Sequence, residues 1–316
     1  SGRFKRTNIE VLLYCYLIIQ TKKPVELDRL FKEYKTWLAG KTIEEKIEIL
    51  KDIKRYAEIY FDFPDSTTLN QIAFSNHQAR FFHVIENFEI TTVYPLILFI
   101  YGEITDREEL ERMLRIVEGY IARRQVCKLT TKNYNNLFIK IMKDLEDIGE
   151  VSAEALETII SEFIEDGNRK PADAELTRAF SDTPISNKNA NEVLFCIALY
   201  QVNNTMSDIQ SLGSGSFSVE HMMPQQWEEN WPLEPFDENT KWERNRKIKT
   251  LGNLTLVTQP LNSSMKNGPW EQKRQALRNH SLLKLTTDYT DKEDWNEQEI
   301  ENRARDLAGT AVKIWR

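Results

Sequence analysis

Glu220 and His221 stand side by side in Val219-Glu220-His221-Met222-Met223-Pro224-Gln225. Asn253 follows Leu251-Gly252 and opens Leu254-Thr255-Leu256, and Asn262 comes nine residues later. A carboxylate, an imidazole and two amides at the ends of short apolar segments are the residues here whose types and spacing suggest chemistry. Hydrolysis of a phosphodiester needs an activated water and a positive charge for the developing anionic oxygens, and a divalent cation supplies that charge as a Lewis acid. Mg²⁺ favours hard oxygen ligands and keeps several waters, so the oxygens of Glu220 and Asn262 can be enough from the protein. An imidazole with an ordinary pKa of about 6.5 can take a proton from water near neutral pH. Neighbouring residues of an extended strand point to opposite faces. For Glu220 and His221 to serve one site, the chain must bend there, and Pro224 is consistent with a strand that ends at this point.

The elements that position these residues are mostly helical. Apolar residues recur at helical spacing over 7–20, 26–38, 43–61, 68–84, 91–101, 106–123, 132–147, 152–165 and 173–180. Asp106 and Ser152 read as helix N-caps. The segment Asp166-Gly167-Asn168-Arg169-Lys170-Pro171 breaks the pattern, and 188–201 forms one more apolar helix. Ser211 to Phe217, rich in Gly and Ser, reads as a turn-rich link into the Glu-His motif. Between His221 and Leu251 the sequence suggests a long loop carrying Trp227, Trp231 and Trp242. A second strand, Leu254–Val257, is ended by Pro260.

Glu220-His221-Met222-Met223-Pro224, Asn253-Leu254 and Asn262 together resemble the HNH nucleases. In that family the pattern runs acidic-His-aliphatic-aliphatic-Pro, then Asn-Leu, then Asn or His. The resemblance implies a ββα-metal fold with His221 as general base and Glu220 and Asn262 as metal ligands. It implies that Asn253 holds the loop and orients the histidine, and Asn267 is an alternative ligand. Glu220 replaces the more common Asp, which lengthens the ligand by one methylene. Asn262 in place of His argues for Mg²⁺ or Mn²⁺ over Zn²⁺. The segment Asn262-Ser-Ser-Met-Lys-Asn267-Gly-Pro-Trp270-Glu-Gln-Lys273 and the ending around Trp295, Ile300, Arg303, Leu307 and Trp315 look like the C-terminal nuclease domain of GmrSD-type, modification-dependent restriction proteins. Val93-Tyr94-Pro95-Leu96 and Gly119 to Arg124 are similar as well. The implied architecture is mainly α, with a helical domain over 1–185 and an HNH-type nuclease domain with flanking helices over 186–316. The implied activity is metal-dependent DNA endonuclease action in defence against foreign or phage DNA. Members of this family usually carry an upstream nucleotide-hydrolysing domain. Neither its Asp-Gly-Gln-Gln-Arg type of motif nor a Walker-type loop appears here, so the expected partners are DNA and an upstream sensor domain or subunit absent from this chain.

Composition refines this reading. The chain has 316 residues, 42 Lys and Arg against 49 Asp and Glu, and a net charge of −7, which argues against a nucleic-acid partner until the distribution is considered. From Lys241 to Lys284 there are ten Lys or Arg against two acidic residues. Arg244, Arg246, Lys247, Lys249, Lys266, Lys273, Arg274 and Arg278 lie in this stretch and are expected to contact phosphates. The acidic runs Glu103 to Glu111, Asp144 to Glu157 and Asp288 to Glu301 read as solvated helix faces. Arg123 and Arg124 read as a salt-bridged helix surface, and His77, His83 and His280 as surface or packing residues. The tryptophans of the long loop and Trp270 read as packing rather than base-stacking residues. Cys15, Cys127 and Cys196, odd in number and set among apolar neighbours, read as small hydrophobes in a reducing cytoplasm. Val11–Ile19 is too short to span a membrane, and Ser1-Gly2 reads as a cloning remnant. The competing reading is a non-catalytic DNA-binding or interaction module with a weak or silent HNH site.

Overall fold

The computed structural model describes residues 6–65, 69–204, 209–213, 215–234 and 236–316. Ser1-Gly2, the first residue of the expected 68–84 helix and Ser214 of the link lie outside the described residues. The protein is mainly α. In chain order its first helices are α1 (Asn8–Thr21), α2 (Leu30–Leu38), α3 (Ile43–Phe61), α4 (His77–Asn87) and α5 (Tyr94–Glu103). There follow α6 (Arg107–Val126), α7 (Tyr134–Ile148), α8 (Ala153–Ser161), α9 (Asp173–Asp182) and α10 (Asn187–Asn203). Then come β1 (Ser218–His221), α11 (Glu238–Lys247), β2 (Leu254–Val257), α12 (Gln259–Met265), α13 (Trp270–His280), α14 (Lys284–Thr287) and α15 (Glu297–Ile314).

The chain divides into two compact units, Ser1–Asp65 with Glu89–Val117 and Thr130–Lys170, and Ser66–Phe88 with Glu118–Leu129 and Pro171–Arg316. They interleave along the chain, where the sequence suggests one boundary between 185 and 186. In the first unit, Thr7 and Glu10 form a capping box at the start of α1, and Thr42 and Glu45 form another at α3. Asp106 accepts from the Glu109 amide at 3.0 Å and Ser152 from the Ala155 amide at 3.2 Å, as expected of N-caps. Helix α1 packs on α3 and α5, and α5 on α7. Every residue from Tyr94 to Ile100 of α5 is buried, as befits a helix that is apolar all round. No helix among the described residues is long and apolar enough to cross a membrane.

The second unit carries the candidate chemistry. Strands β1 and β2 pair antiparallel, with Ser218 opposite Val257 and His221 opposite Leu254. Helix α10 packs on both strands, α12 on β1 and α13, and α14 on β2. Met222, Trp227, Trp231, Trp270, Leu277 and Trp295 share one core, which accounts for three of the four tryptophans in question. Trp242 is exposed. Helix α15 packs on α9 and on the Leu251–Asn253 turn before β2. A Cβ on Gly252 would lie 2.3 Å from the Ile300 carbonyl oxygen, so the turn and α15 approach this closely only because residue 252 has no side chain.

Four expectations are corrected. The helix expected over 68–84 begins only at His77, as α4, and Ile72 forms a bridge with Leu212 instead. The long loop after His221 contains α11, started by an Asp237–Thr240 capping box. Arg123 and Arg124 are buried rather than on the surface. Arg123 donates to the carbonyls of Trp315 and Pro171 and to Asp173 at 2.6 Å, while Arg124 lies over the Tyr120 ring. The acidic run 288–301 is not simply solvated. Glu297 holds Arg244 and Glu301 holds Lys247.

Candidate functional site

Asn253 is the residue around which the site is built. It is fully buried, and all its side-chain capacity is used. Its Oδ1 accepts from the Met223 amide at 2.8 Å and from Trp295 Nε1 at 3.0 Å. Its Nδ2 donates to the Met223 carbonyl at 2.8 Å and the Ile248 carbonyl at 3.0 Å. Its own carbonyl accepts from the Met222 amide at 3.0 Å. The exit of β1 and the entry of β2 are thereby joined at one residue, and its hold on His221 runs through the backbone of Met222 and Met223. Arg303 locks the same turn from the other side. Buried in α15, it donates from Nη1 to the carbonyls of Leu251, Gly252 and Leu254 and from Nη2 to that of Leu285. Burial pushes its guanidinium down to about 10.

His221 ends β1 and is half-buried, with Nε2 3.0 Å from Gln225 Nε2. Burial first, then the positive charges of Lys273 and Lys249, push the imidazole down to about 4. It is therefore neutral at pH 7, and a weaker proton acceptor than an ordinary imidazole.

Glu220 is buried on the other face of β1, where Lys273 Nζ donates to Oε1 at 2.5 Å and to the His221 carbonyl at 2.7 Å. Lys273 is itself buried. Burial raises the Glu220 carboxyl and lowers the Lys273 ammonium, and their attraction opposes both shifts. Asn262, on α12, donates from Nδ2 to Ser218 Oγ and to the Val219 carbonyl, both at 3.0 Å. It is fixed against the residue preceding Glu220. Asn267 is tied elsewhere, donating to Gln226 Oε1 at 2.8 Å while its carbonyl accepts from Asn230.

The donor types suit a hard cation, but the bend that would bring Glu220 and His221 together is not seen: β1 is regular through His221 and carries the two on opposite faces. A second carboxylate oxygen on Glu220 and the Oδ1 of Asn262, whose Nδ2 is engaged by β1, are oxygen ligands of the kind Mg²⁺ or Mn²⁺ takes. Among the described residues no group of three or more His, Cys, Asp or Glu is placed to hold a metal ion. A cation held by Glu220 would have to share the carboxylate with Lys273.

The eight basic residues do not form one free surface. Arg244 pairs with Glu297 at 2.5 Å and donates to the Trp231 and Pro232 carbonyls. Lys247 pairs with Glu301, and Lys273 with Glu220. These three are buried structural cations. Arg246 donates to the Asp182 carbonyl at 2.9 Å, Arg274 holds Glu271, and Arg278 reaches Asp291 at 2.6 Å. Lys249 and Lys266 are exposed. Sequence reasoning missed Lys273 as the partner of Glu220. The signal was present, because positions 270, 273 and 277 put Lys273 on the same stripe of α13 as Trp270 and Leu277. Arg303 shares a stripe with Ile300, Ala304 and Leu307 in the same way.

Comparison with known proteins adds one match. Residues 170–310 fit the family model of the C-terminal domain of GmrSD restriction endonucleases. No curated protein matches the chain.

Proposed function

With residues 170–310 forming a C-terminal domain of the GmrSD restriction endonuclease family, we propose that it is a metal-dependent, HNH-type DNA endonuclease acting in defence against foreign or phage DNA. The observation that supports this reading is geometric: His221 ends β1, beside a strand exit that Asn253 joins to β2. In the proposed reaction His221 takes the proton of the attacking water. A bound Mg²⁺ or Mn²⁺ would supply Lewis-acid charge to the phosphodiester oxygens. Glu220 and Asn262 would hold it, each from a position already fixed, by Lys273 on one side and by β1 on the other. Lys249 and Lys266 are the exposed cations of the basic stretch best suited to the DNA backbone. An upstream nucleotide-hydrolysing domain or subunit remains part of the proposal as a partner.

A second reading rests on the Lys273 bond. An ammonium already neutralises the one carboxylate of the site, and a domain that binds DNA without cutting follows if a cation does not share it. Supercoiled plasmid separates the two. Nicking that requires Mg²⁺ or Mn²⁺, stops with EDTA and falls by about 10²–10⁴-fold in His221→Ala supports the nuclease. DNA binding without nicking supports the second reading, and unchanged nicking by His221→Ala removes the assignment of the base.

A further inference from the structure

Helix α3, in the first unit, carries two apolar faces and buries one of them. Tyr56 and Tyr60 are buried where the helix packs on α1 and α5. A second stripe runs along the outside of the helix through Ile43, Ile47, Leu50, Lys54, Ala57 and Phe61. Ile43 is 72 % exposed, Leu50 66 % and Phe61 57 %. Single exposed apolar side chains are ordinary, whereas a contiguous row of them marks an interaction surface. The spacing says what kind. Steps of four, three, four, three and four residues follow the heptad repeat of a seam between two helices. In that repeat Ile47, Lys54 and Phe61 alternate with Ile43, Leu50 and Ala57 along the seam. Glu44, Lys51 and Glu58 flank it on one side, one heptad apart, and Lys46 on the other.

The flanking charges fit a second α3. Two copies side by side in parallel would set Lys54 on Lys54 and Lys46 on Lys51, like charges throughout. Antiparallel copies can instead place Ile47 on Leu50 of the other copy and Leu50 on its Ile47. Glu44 then meets Lys51 at both ends of the seam. Slid by one heptad, the same pairing sets Lys51 on Lys51 and Glu44 on Glu58. Slid by two, it leaves Ile43 and Ile47 uncovered. Only the first arrangement covers Ile43, Ile47 and Leu50 while matching opposite charges. We propose that a second copy of this chain docks there, antiparallel, making α3 a homodimer seam. Lys54 lays its methylene stem along Ile43 of the other copy and keeps its ammonium in water. Lys51 holds Glu48 of its own helix at 2.7 Å, an exposed pair that contributes little and yields readily to Glu44 of the other copy. The seam is short, so the dimer belongs with small, reversible interfaces, and its dissociation constant is expected at about 10–100 µM.

Analytical ultracentrifugation of the full chain tests this, over concentrations from about 1 to 500 µM, a range that brackets the expected constant. The weight-average mass should rise from 37.2 kDa towards twice that value. Leu50→Glu should stay monomeric throughout. Its far-UV circular dichroism should match the parent, because the side chain it replaces is exposed. Lys51→Glu sets like charges together at both ends of the seam and should weaken the dimer about tenfold or more. Adding Glu44→Lys to Lys51→Glu restores opposite charges and should restore the dimer, which a general loss of stability could not do. A parent that is monomeric at every concentration overturns the proposal. So does a dimer that Leu50→Glu leaves intact, or a Lys51→Glu defect that Glu44→Lys fails to repair.

Discussion

Replacing Asn253 by Ala removes four hydrogen bonds from a site with no exposure. Left behind are the Met223 amide, the Trp295 indole N–H and the carbonyls of Met223 and Ile248. Each buried group left unmatched costs about 1–3 kcal/mol, so the four together set a ceiling of about 4–12 kcal/mol. Relaxation of the Met222–Pro224 turn and entry of water lower this, and the expected loss is about 3–5 kcal/mol. That is a large part of the roughly 5–15 kcal/mol that holds a native domain together. For a unit of this size it corresponds to a fall of about 6–20 °C in Tm. Tryptophan fluorescence is the suitable probe. Six of the seven tryptophans lie in the second unit, so the signal follows that unit even if the two do not unfold together. Asn253→Asp keeps the shape but loses both Nδ2 donors and sets a carboxylate against the two carbonyls. It should be at least as damaging as Ala. Asn262→Ala, at a half-buried position with two bonds, should cost clearly less. At temperatures where Asn253→Ala remains folded, nicking should still fall, because the turn that follows His221 is no longer held. A loss below about 1 kcal/mol with full nicking would show that Arg303 and the tryptophan core hold this turn without Asn253, and the reasoning would be wrong.

Other predictions follow from the same geometry. Gly252→Ala should destabilise the second unit by about 1–3 kcal/mol or more, since its Cβ would meet the Ile300 carbonyl; an unchanged tryptophan melting curve would mean that α15 can move aside. Replacing Lys249 and Lys266 by Gln should flatten the plot of log affinity against log salt by roughly 0.9 per lost phosphate contact. Arg244→Gln and Lys247→Gln should instead lower the unfolding midpoint, because each strips a buried ion pair of one partner; the reverse pattern would put the DNA surface on α11. Asn262→Ala should raise the Mg²⁺ concentration needed for half-maximal nicking, and a wild-type metal titration would remove it as a ligand.

Features set by neighbours in the sequence were legible before the fold was known. The second strand, Leu254–Val257, is found where its apolar run lies, and the capping residues Asp106 and Ser152 act through amides three residues away. The Glu-His and Asn-Leu motifs marked the residues that meet at the strand ends. What tertiary structure alone decided was where the charges go. Helix α11 was invisible because its sequence, Glu-Asn-Thr-Lys-Trp-Glu-Arg-Asn-Arg-Lys, has no apolar stripe. It is held instead by Arg244 and Lys247 against Glu297 and Glu301 of α15, more than fifty residues on. Much of the basic stretch that looked like a DNA surface is neutralised by an acidic run that looked solvated, and Lys273 belongs to Glu220. Periodicity and capping follow from the geometry of a single element, whereas the partner of a buried charge depends on which distant element packs against it.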